Sequence, residues 1–302
     1  MSSTSSPSRP SRPRRSVLYV PGGNERAIAK ARTLACDAVI FDLEDSVAPD
    51  AKVEARENLR KLLGEPLGGG RETIIRINAL STPWGAEDLR AAQDLAPDAI
   101  LIPKVEDPED IAQIDEALDQ TDAPETLRLW AMIETPKGIM NAGQIARASR
   151  TPGGRLDCFV TGTNDIVKET GVAPLPGRPY LSTWLMEIVL AARAYGIDVL
   201  DGVYNDFRDS EGFAIECAQG RAMGFDGKTL IHPGQIEAAN RAFGIDPDKL
   251  EEARHIVEAF ARPENARAGV ISLDGRMVER LHADMAEKLI AKADALAARK
   301  SI

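Results

Sequence analysis

Leu129-Trp130-Ala131-Met132-Ile133-Glu134-Thr135-Pro136 is the stretch whose reading decides the fold. Five apolar residues in succession, set between Arg128 and Glu134, mark a strand buried on both faces, as in a parallel sheet. A carboxylate stands at the carboxyl end, Thr135-Pro136 stops the strand, and Lys137–Ala148 reads as a helix. In a (β/α)₈ barrel the catalytic groups gather at that end of the strands. One unit later Asp165 occupies the same place. Two acidic groups at neighbouring strand ends suit a hard divalent cation such as Mg²⁺, or Mn²⁺ in its stead. Such an ion takes one or two carboxylates and fills its shell with water and substrate. Glu134 and Asp165 are therefore the candidate metal ligands; alternatively Glu134 is a surface carboxylate at a strand end or a partner for Lys104.

Outward from this unit the pattern repeats. Short apolar strands fall at Val17–Val20, Ala38–Phe41, Thr73–Ile77, Ala99–Ile102, Leu129–Ile133, Asp157–Val160, Asp198–Leu200 and Lys228–Ile231. Helical patterns separate them at Glu25–Ala35, Asp50–Leu63, Trp84–Leu95, Pro108–Leu118, Lys137–Ala148, Thr183–Tyr195 and Ser210–Met223. Strands alternating with helices make parallel βα units, and eight near-equal repeats favour closure into a TIM barrel over a doubly wound sheet. No Gly-x-Gly-x-x-Gly follows the first strand to signal a dinucleotide fold. Beyond the eighth strand come helices at Gly234–Phe243 and Pro247–Ala261, then a long helix from about Met277 to Ala298. Residues 16–262 are thus expected to form the catalytic barrel, and 263–302 a helical arm at a subunit interface. Residues 1–15, rich in Ser, Pro and Arg and without an acid, are expected to be a disordered tail. Pro7, Pro10 and Pro13 work against the amphipathic helix of an organelle transit peptide. Gly171–Tyr180, with three prolines and two glycines, reads as an irregular loop at the catalytic end, either an active-site lid or a rigid surface loop.

Composition narrows the function. A net charge of −10 argues against a nucleic-acid surface, and no apolar run approaches the length needed to span a membrane. Cys36, Cys158 and Cys217 lack metal or redox spacing and sit among apolar or small residues, so buried reduced thiols in a cytoplasmic protein are expected. His232, His255 and His282 form no zinc motif.

The carboxyl ends of the strands form a polar ring. It contains Pro21-Gly22-Gly23-Asn24, Asp42-Leu43-Glu44-Asp45, Arg76-Ile77-Asn78, Pro103-Lys104, Glu134, Thr161-Gly162-Thr163-Asn164-Asp165, Asp201-Gly202 and His232-Pro233. The amino ends show nothing comparable, an asymmetry that points to an enzyme with a small charged substrate. Arg76 is placed to grip a substrate carboxylate with its two-pronged donors, or else to form a salt bridge with Glu44 or Asp42. Glu44 and Asp45 are expected to hold metal-bound water or Lys104; alternatively Asp45 caps the next turn or meets an arginine. Pro21–Asn24 offers backbone donors before a helix. His232 reads as a capping residue. Arg14, Arg15 and Lys30 are available for phosphates.

These pieces resemble the citrate lyase beta subunit-like family, within the HpcH/HpaI aldolase/citrate lyase superfamily of malyl-CoA, citramalyl-CoA and citryl-CoA lyases. The resemblance rests on Arg15–Gly23, Val39–Asp50, Ile75–Asn78, Ile102–Lys104, Ile133–Thr135, Gly162–Asp165, Gly224–Pro233 and Ser272–Met277, in order along the chain. It implies a Mg²⁺-dependent TIM barrel assembled as trimers or hexamers. By position, Glu134 and Asp165 match the metal ligands and Arg76 the carboxylate-binding arginine, with Asn78 and Gly162 beside the substrate. The implied reaction is retro-Claisen cleavage of a 3-hydroxyacyl-CoA to acetyl-CoA and a 2-oxo acid, or its reverse. In many relatives an aspartate on a C-terminal segment, reaching a neighbouring subunit, serves as acid/base; Glu279 stands there in this chain. One added methylene moves the carboxyl by about 1 Å, so Glu279 is either a working variant or a sign of altered chemistry, or else a plain surface helix residue. Hydrolysis of malyl-CoA with water activated by Glu279, or citryl-thioester cleavage within a multi-subunit citrate lyase, are the alternatives.

Overall fold

Alternation along the strands determines what lies inside the ring they close. The computed structural model describes residues 12–64, 67–265 and 267–299. The strands are β1 (Ser16–Pro21), β2 (Ala38–Asp42), β3 (Glu72–Arg76), β4 (Ala99–Ile102), β5 (Arg128–Ile133), β6 (Leu156–Thr161), β7 (Asp198–Asp201) and β8 (Gly227–Leu230). They pair in chain order, all parallel, and β1 closes on β8. Val17, Tyr19, Ile40, Ile74, Leu101, Trp130, Met132, Cys158, Val160 and Leu200 fill the interior. The intervening residues, among them Leu18, Val39, Phe41, Ile75, Leu129, Ala131 and Phe159, face the surrounding helices. The inward set has a period of two. Continued one step, it places Asp42, Arg76 and Glu134 at the mouth. The expected (β/α)₈ barrel is the fold observed.

The helices of the barrel unit are α1 (Glu25–Ala31), α2 (Lys52–Leu62), α3 (Gly85–Leu95), α4 (Pro108–Asp119), α5 (Pro136–Met140), α6 (Ala142–Arg147), α7 (Thr163–Thr170), α8 (Ser182–Tyr195), α9 (Ser210–Met223) and α10 (Ile236–Ala242). The single helix expected over Lys137–Ala148 is broken at Asn141, whose side-chain amide donates instead to the Glu106 carbonyl and to Asp107. An unanticipated helix, α7, carries Asp165 in its first turn and ends at Gly171, φ +69. The loop behind it is pinned rather than loose. Arg178 is buried, its Nη1 2.6 Å from Asp201 Oδ1 and its Nε 3.0 Å from Gln219.

The tail was read as disordered through residue 15. Residues 1–11 lie outside the described residues, but Arg14 and Arg15 are ordered. Arg14 is 3% exposed beneath the barrel, bonded to Glu72, Asp157 and Asp198 at the starts of β3, β6 and β7, with its guanidinium over Trp130. Arg15 pairs with Asp37 before β2. Both therefore sit at the amino ends of the strands, away from the mouth, and neither is free to meet a substrate phosphate there. The amino ends are also more charged than the sequence pattern suggested, but these charges neutralise one another.

The described residues from 244 to 299, with 12 and 13, group as a second compact unit. It holds α11 (Pro247–Ala261), the hairpin strands β9 (Val270–Leu273) and β10 (Arg276–Glu279), and α12 (Arg280–Arg299). The long helix thus begins after Glu279, not at Met277. Asp274 and Gly275 both adopt positive φ (50° and 75°), the two-residue Asp-Gly turn that closes a hairpin. Ala259, Phe260, Ile271, Val278 and Ala283 form the unit's own small core.

Candidate active site

The mouth of the barrel encloses a cavity of about 310 Å³. Tyr19, Asp42, Arg76, Met132, Glu134, Gly162, Asn164, Asp165, Thr229 and Ile231 are among its walls. Arg76 is the organising cation. Its Nε and Nη2 each lie 2.6 Å from one oxygen of Asp42, and its Nη1 lies 2.7 Å from Glu44 Oε2 and 3.6 Å from Asp45. Burial opposes ionisation of Asp42, yet this two-pronged contact holds its carboxyl below the usual carboxylate range. The salt-bridge role weighed for Arg76 is therefore present, and it fixes the guanidinium at the edge of the cavity. The Arg76 guanidinium carbon lies over the Tyr19 ring, 5.1 Å from its centroid, and Arg76 Nη1 also approaches the Met132 sulfur at 3.6 Å.

Glu44 is bridged on its other oxygen by Lys104 Nζ at 2.6 Å. Burial nevertheless dominates, and raises the Glu44 carboxyl above its ordinary value. Asp45 is more exposed and lines the cavity. Asn78 is buried under the β2 loop, donating to Leu43 and Asp88 and accepting from Lys52, and is not part of the cavity wall. His232 caps the turn after β8, its Nδ1 accepting the Gly234 N–H. All three cysteines are buried, and no disulfide joins them among the described residues.

Glu134 is fully buried. Its Oε1 accepts the Lys104 backbone N–H at 2.8 Å; its Oε2 is buried with no hydrogen-bond partner among the described residues. Burial above all, then the neighbouring Asp165 and Glu44, push its carboxyl up to about 8 against the relief given by Lys104. A buried carboxylate oxygen without a donor is costly. A cation bound between Glu134 and Asp165 would remove the cost. Gly162 leaves the room: a Cβ there would stand 2.4 Å from Glu134 Oε2. No group of three or more His, Cys, Asp or Glu fit for a metal occurs among the described residues. The donor set is thus a pair of carboxylates, which fits Mg²⁺ sharing its shell with water and substrate and does not fit a closed zinc site. Glu279 belongs to the C-terminal unit, exposed at the end of β10.

Tyr19 and Met132 were missed as site residues because each lies inside an apolar run. A tyrosine on the inward period of an otherwise aliphatic strand was the signal available. A larger groove, about 780 Å³, lies on the outer wall along α4 and α6, but contains none of the ring residues.

The profile of the HpcH/HpaI aldolase/citrate lyase family matches residues 15–233. The chain belongs to this family. A family relative, the (3S)-malyl-CoA thioesterase of Cereibacter sphaeroides strain KD131, is 48% identical over 284 residues, 94% of this chain and 96% of its own. The citrate lyase subunit beta of Escherichia coli K12 is 35% identical over 286 residues, 93% of each chain. Among solved structures, CitE from Mycobacterium tuberculosis in complex with magnesium, acetoacetate and coenzyme A matches with a TM-score of 0.72 and 30% identity, covering 92% of this chain and 97% of that one. No helix among the described residues is long and apolar enough to cross a membrane.

Proposed function

We propose that the protein is a Mg²⁺-dependent enzyme that hydrolyses the CoA thioester of a small hydroxy diacid of the malyl type, releasing free CoA. The observation that carries this is the 48% identity, along almost the whole chain, to a malyl-CoA thioesterase. It moves the preferred reaction from the carbon–carbon cleavage expected from sequence to the hydrolytic alternative. The site chemistry agrees with the substrate class. Glu134 and Asp165 would hold Mg²⁺, which supplies Lewis acidity and a template for the carboxylate and hydroxyl oxygens of the acid half. Arg76, held by Asp42 through Nε and Nη2 and by Glu44 through Nη1, keeps its second Nη2 N–H for the distal carboxylate. Lys104 pairs with Glu44, which lessens the wall's repulsion of an anion.

In this reading Glu279 of a neighbouring copy takes a proton from water. The water oxygen bonds to the thioester carbon, the carbon–sulfur bond breaks, and the thiolate leaves to be protonated. The assembly is then a trimer or a multiple of one. The second reading, retro-Claisen cleavage of malyl-CoA or citramalyl-CoA to acetyl-CoA and a 2-oxo acid, is favoured by the 35% identity to a citrate lyase subunit. A parallel assay on malyl-CoA, citramalyl-CoA and citryl-CoA with Mg²⁺ separates them. Free thiol without oxo acid is expected; oxo acid without thiol would establish the lyase. Silence on all three would point to a carrier-protein thioester within a complex.

A further inference from the structure

Lys104 stands at φ +50, a left-handed conformation that a side chain bearing a Cβ adopts only where its surroundings impose it. The turn it makes after β4 aims two successive backbone N–H groups at the end of β5. The Lys104 N–H reaches Glu134 Oε1 at 2.8 Å, and the Val105 N–H reaches the Met132 carbonyl at 3.2 Å. The Lys104 side chain leaves in another direction, to Glu44. The Glu134 carboxylate is therefore divided. One oxygen is tied to the main chain of residue 104; the other, unpartnered, lies over Gly162.

We infer that Lys104 is a positioning residue acting through its main chain. Its left-handed turn fixes Glu134 Oε1, so that Glu134 offers the cation a single oxygen, while the ammonium hydrogen-bonds Glu44. This rests on the Mg²⁺ reading above. It predicts a separation that side-chain chemistry alone would not give. Lys104→Gly and Lys104→Val both remove the ammonium, but glycine accepts φ +50 freely and a β-branched residue resists it.

The test is Mn²⁺ binding to the full chain without substrate, followed by electron paramagnetic resonance, with thermal unfolding recorded alongside. Lys104→Gly should bind Mn²⁺ within about threefold of the parent. Lys104→Val should bind about tenfold or more weakly, the scale of one charge-assisted hydrogen bond. Lys104→Ala should fall between them, and the Gly–Ala comparison decides if the valine variant fails to fold. Equal weakening in all the variants would assign the effect to the ammonium and overturn the inference, as would equal retention. A parent that binds no Mn²⁺, or a Glu134→Gln variant that binds it unchanged, would instead remove the metal reading and this inference with it.

Discussion

Gly162→Ala tests the arrangement of the metal pair with one methyl group. The backbone at Gly162 has φ −100 and ψ 75, so no positive φ requires glycine there. Space does. The added Cβ would fall 2.4 Å from both Glu134 Cβ and Glu134 Oε2, where ordinary contact begins at 3.4 Å. About 1 Å must be found. Glu134 Cβ cannot supply it, because it is anchored to the end of a strand paired on both sides, and the Gly162 N–H itself bonds the Ile133 carbonyl at 3.2 Å. The carboxylate must therefore turn away from Asp165, or the first turn of α7 must retreat. A displacement of about 1 Å at a reacting centre costs on the order of 10²-fold in rate. We expect thioester turnover to fall by about that factor at saturating Mg²⁺, with the Mg²⁺ requirement raised. Gly143→Ala in α6, where the new Cβ meets nothing within 4 Å, is the control and should be neutral or slightly stabilising. Steady-state kinetics against Mg²⁺ concentration, with thermal unfolding of both variants, makes the measurement. A folded Gly162→Ala enzyme with wild-type kcat and wild-type Mg²⁺ dependence would refute the claim that Glu134 Oε2 is the ligand.

Mg²⁺ must displace the proton from Glu134, whose carboxyl is pushed up to about 8 by burial and its acidic neighbours. Calorimetry should therefore show Mg²⁺ affinity falling about tenfold per pH unit below 8 and levelling above it. The sign for the metal-free protein is the reverse of the usual carboxylate case. A folded-state pKa above the unfolded value contributes stability at low pH that is lost as pH rises through about 8, so metal-free melting temperature should drop over that interval and recover on adding Mg²⁺. A flat affinity profile from pH 6 to 9 would contradict this. Arg76→Lys exchanges a fork for a point charge and cannot span both Asp42 oxygens; KM for the thioester should rise about tenfold or more while the fold persists, and an unchanged KM would remove Arg76 from substrate binding. Lys228→Met leaves the fully buried Asp201 with Arg178 as its one remaining cation among the described residues, so urea unfolding should show a loss of about 3–5 kcal/mol. A loss below about 1 kcal/mol would show that Arg178 alone neutralises Asp201.

The barrel was legible because most strands are short apolar runs with a polar residue where they end, and eight near-equal repeats favoured closure over a doubly wound sheet. The ring residues followed from the same rule, since a strand's last inward position faces the mouth; Asp42, Arg76 and Glu134 meet there. What escaped was whatever depends on a partner distant in sequence or on a single dihedral. Arg14 looked like the end of a polar tail because the carboxylates that bury it, Glu72, Asp157 and Asp198, lie 58 to 184 residues away. The Asp274-Gly275 turn was visible as a dipeptide, but the residues around it also fit the start of a helix, and local pairing with Val270–Leu273 won. The positive φ of Lys104 has no sequence signature at all.

These misses bear on how a site is told from a stabilising cluster. Charge density does not do it, since both ends of this barrel are crowded with charge. At the amino end, Arg14 makes four hydrogen bonds to three carboxylates. That cluster is closed, and a ligand could enter only by breaking it. At the mouth, Arg76 and Lys104 neutralise Asp42 and Glu44, yet Glu134 keeps a buried oxygen that no side chain or main-chain donor of the described residues reaches. A fold that needed only stability would have placed a donor there or removed the acid. The kept acid, its divided oxygens and the glycine beside the free one are what the proposed cation would complete.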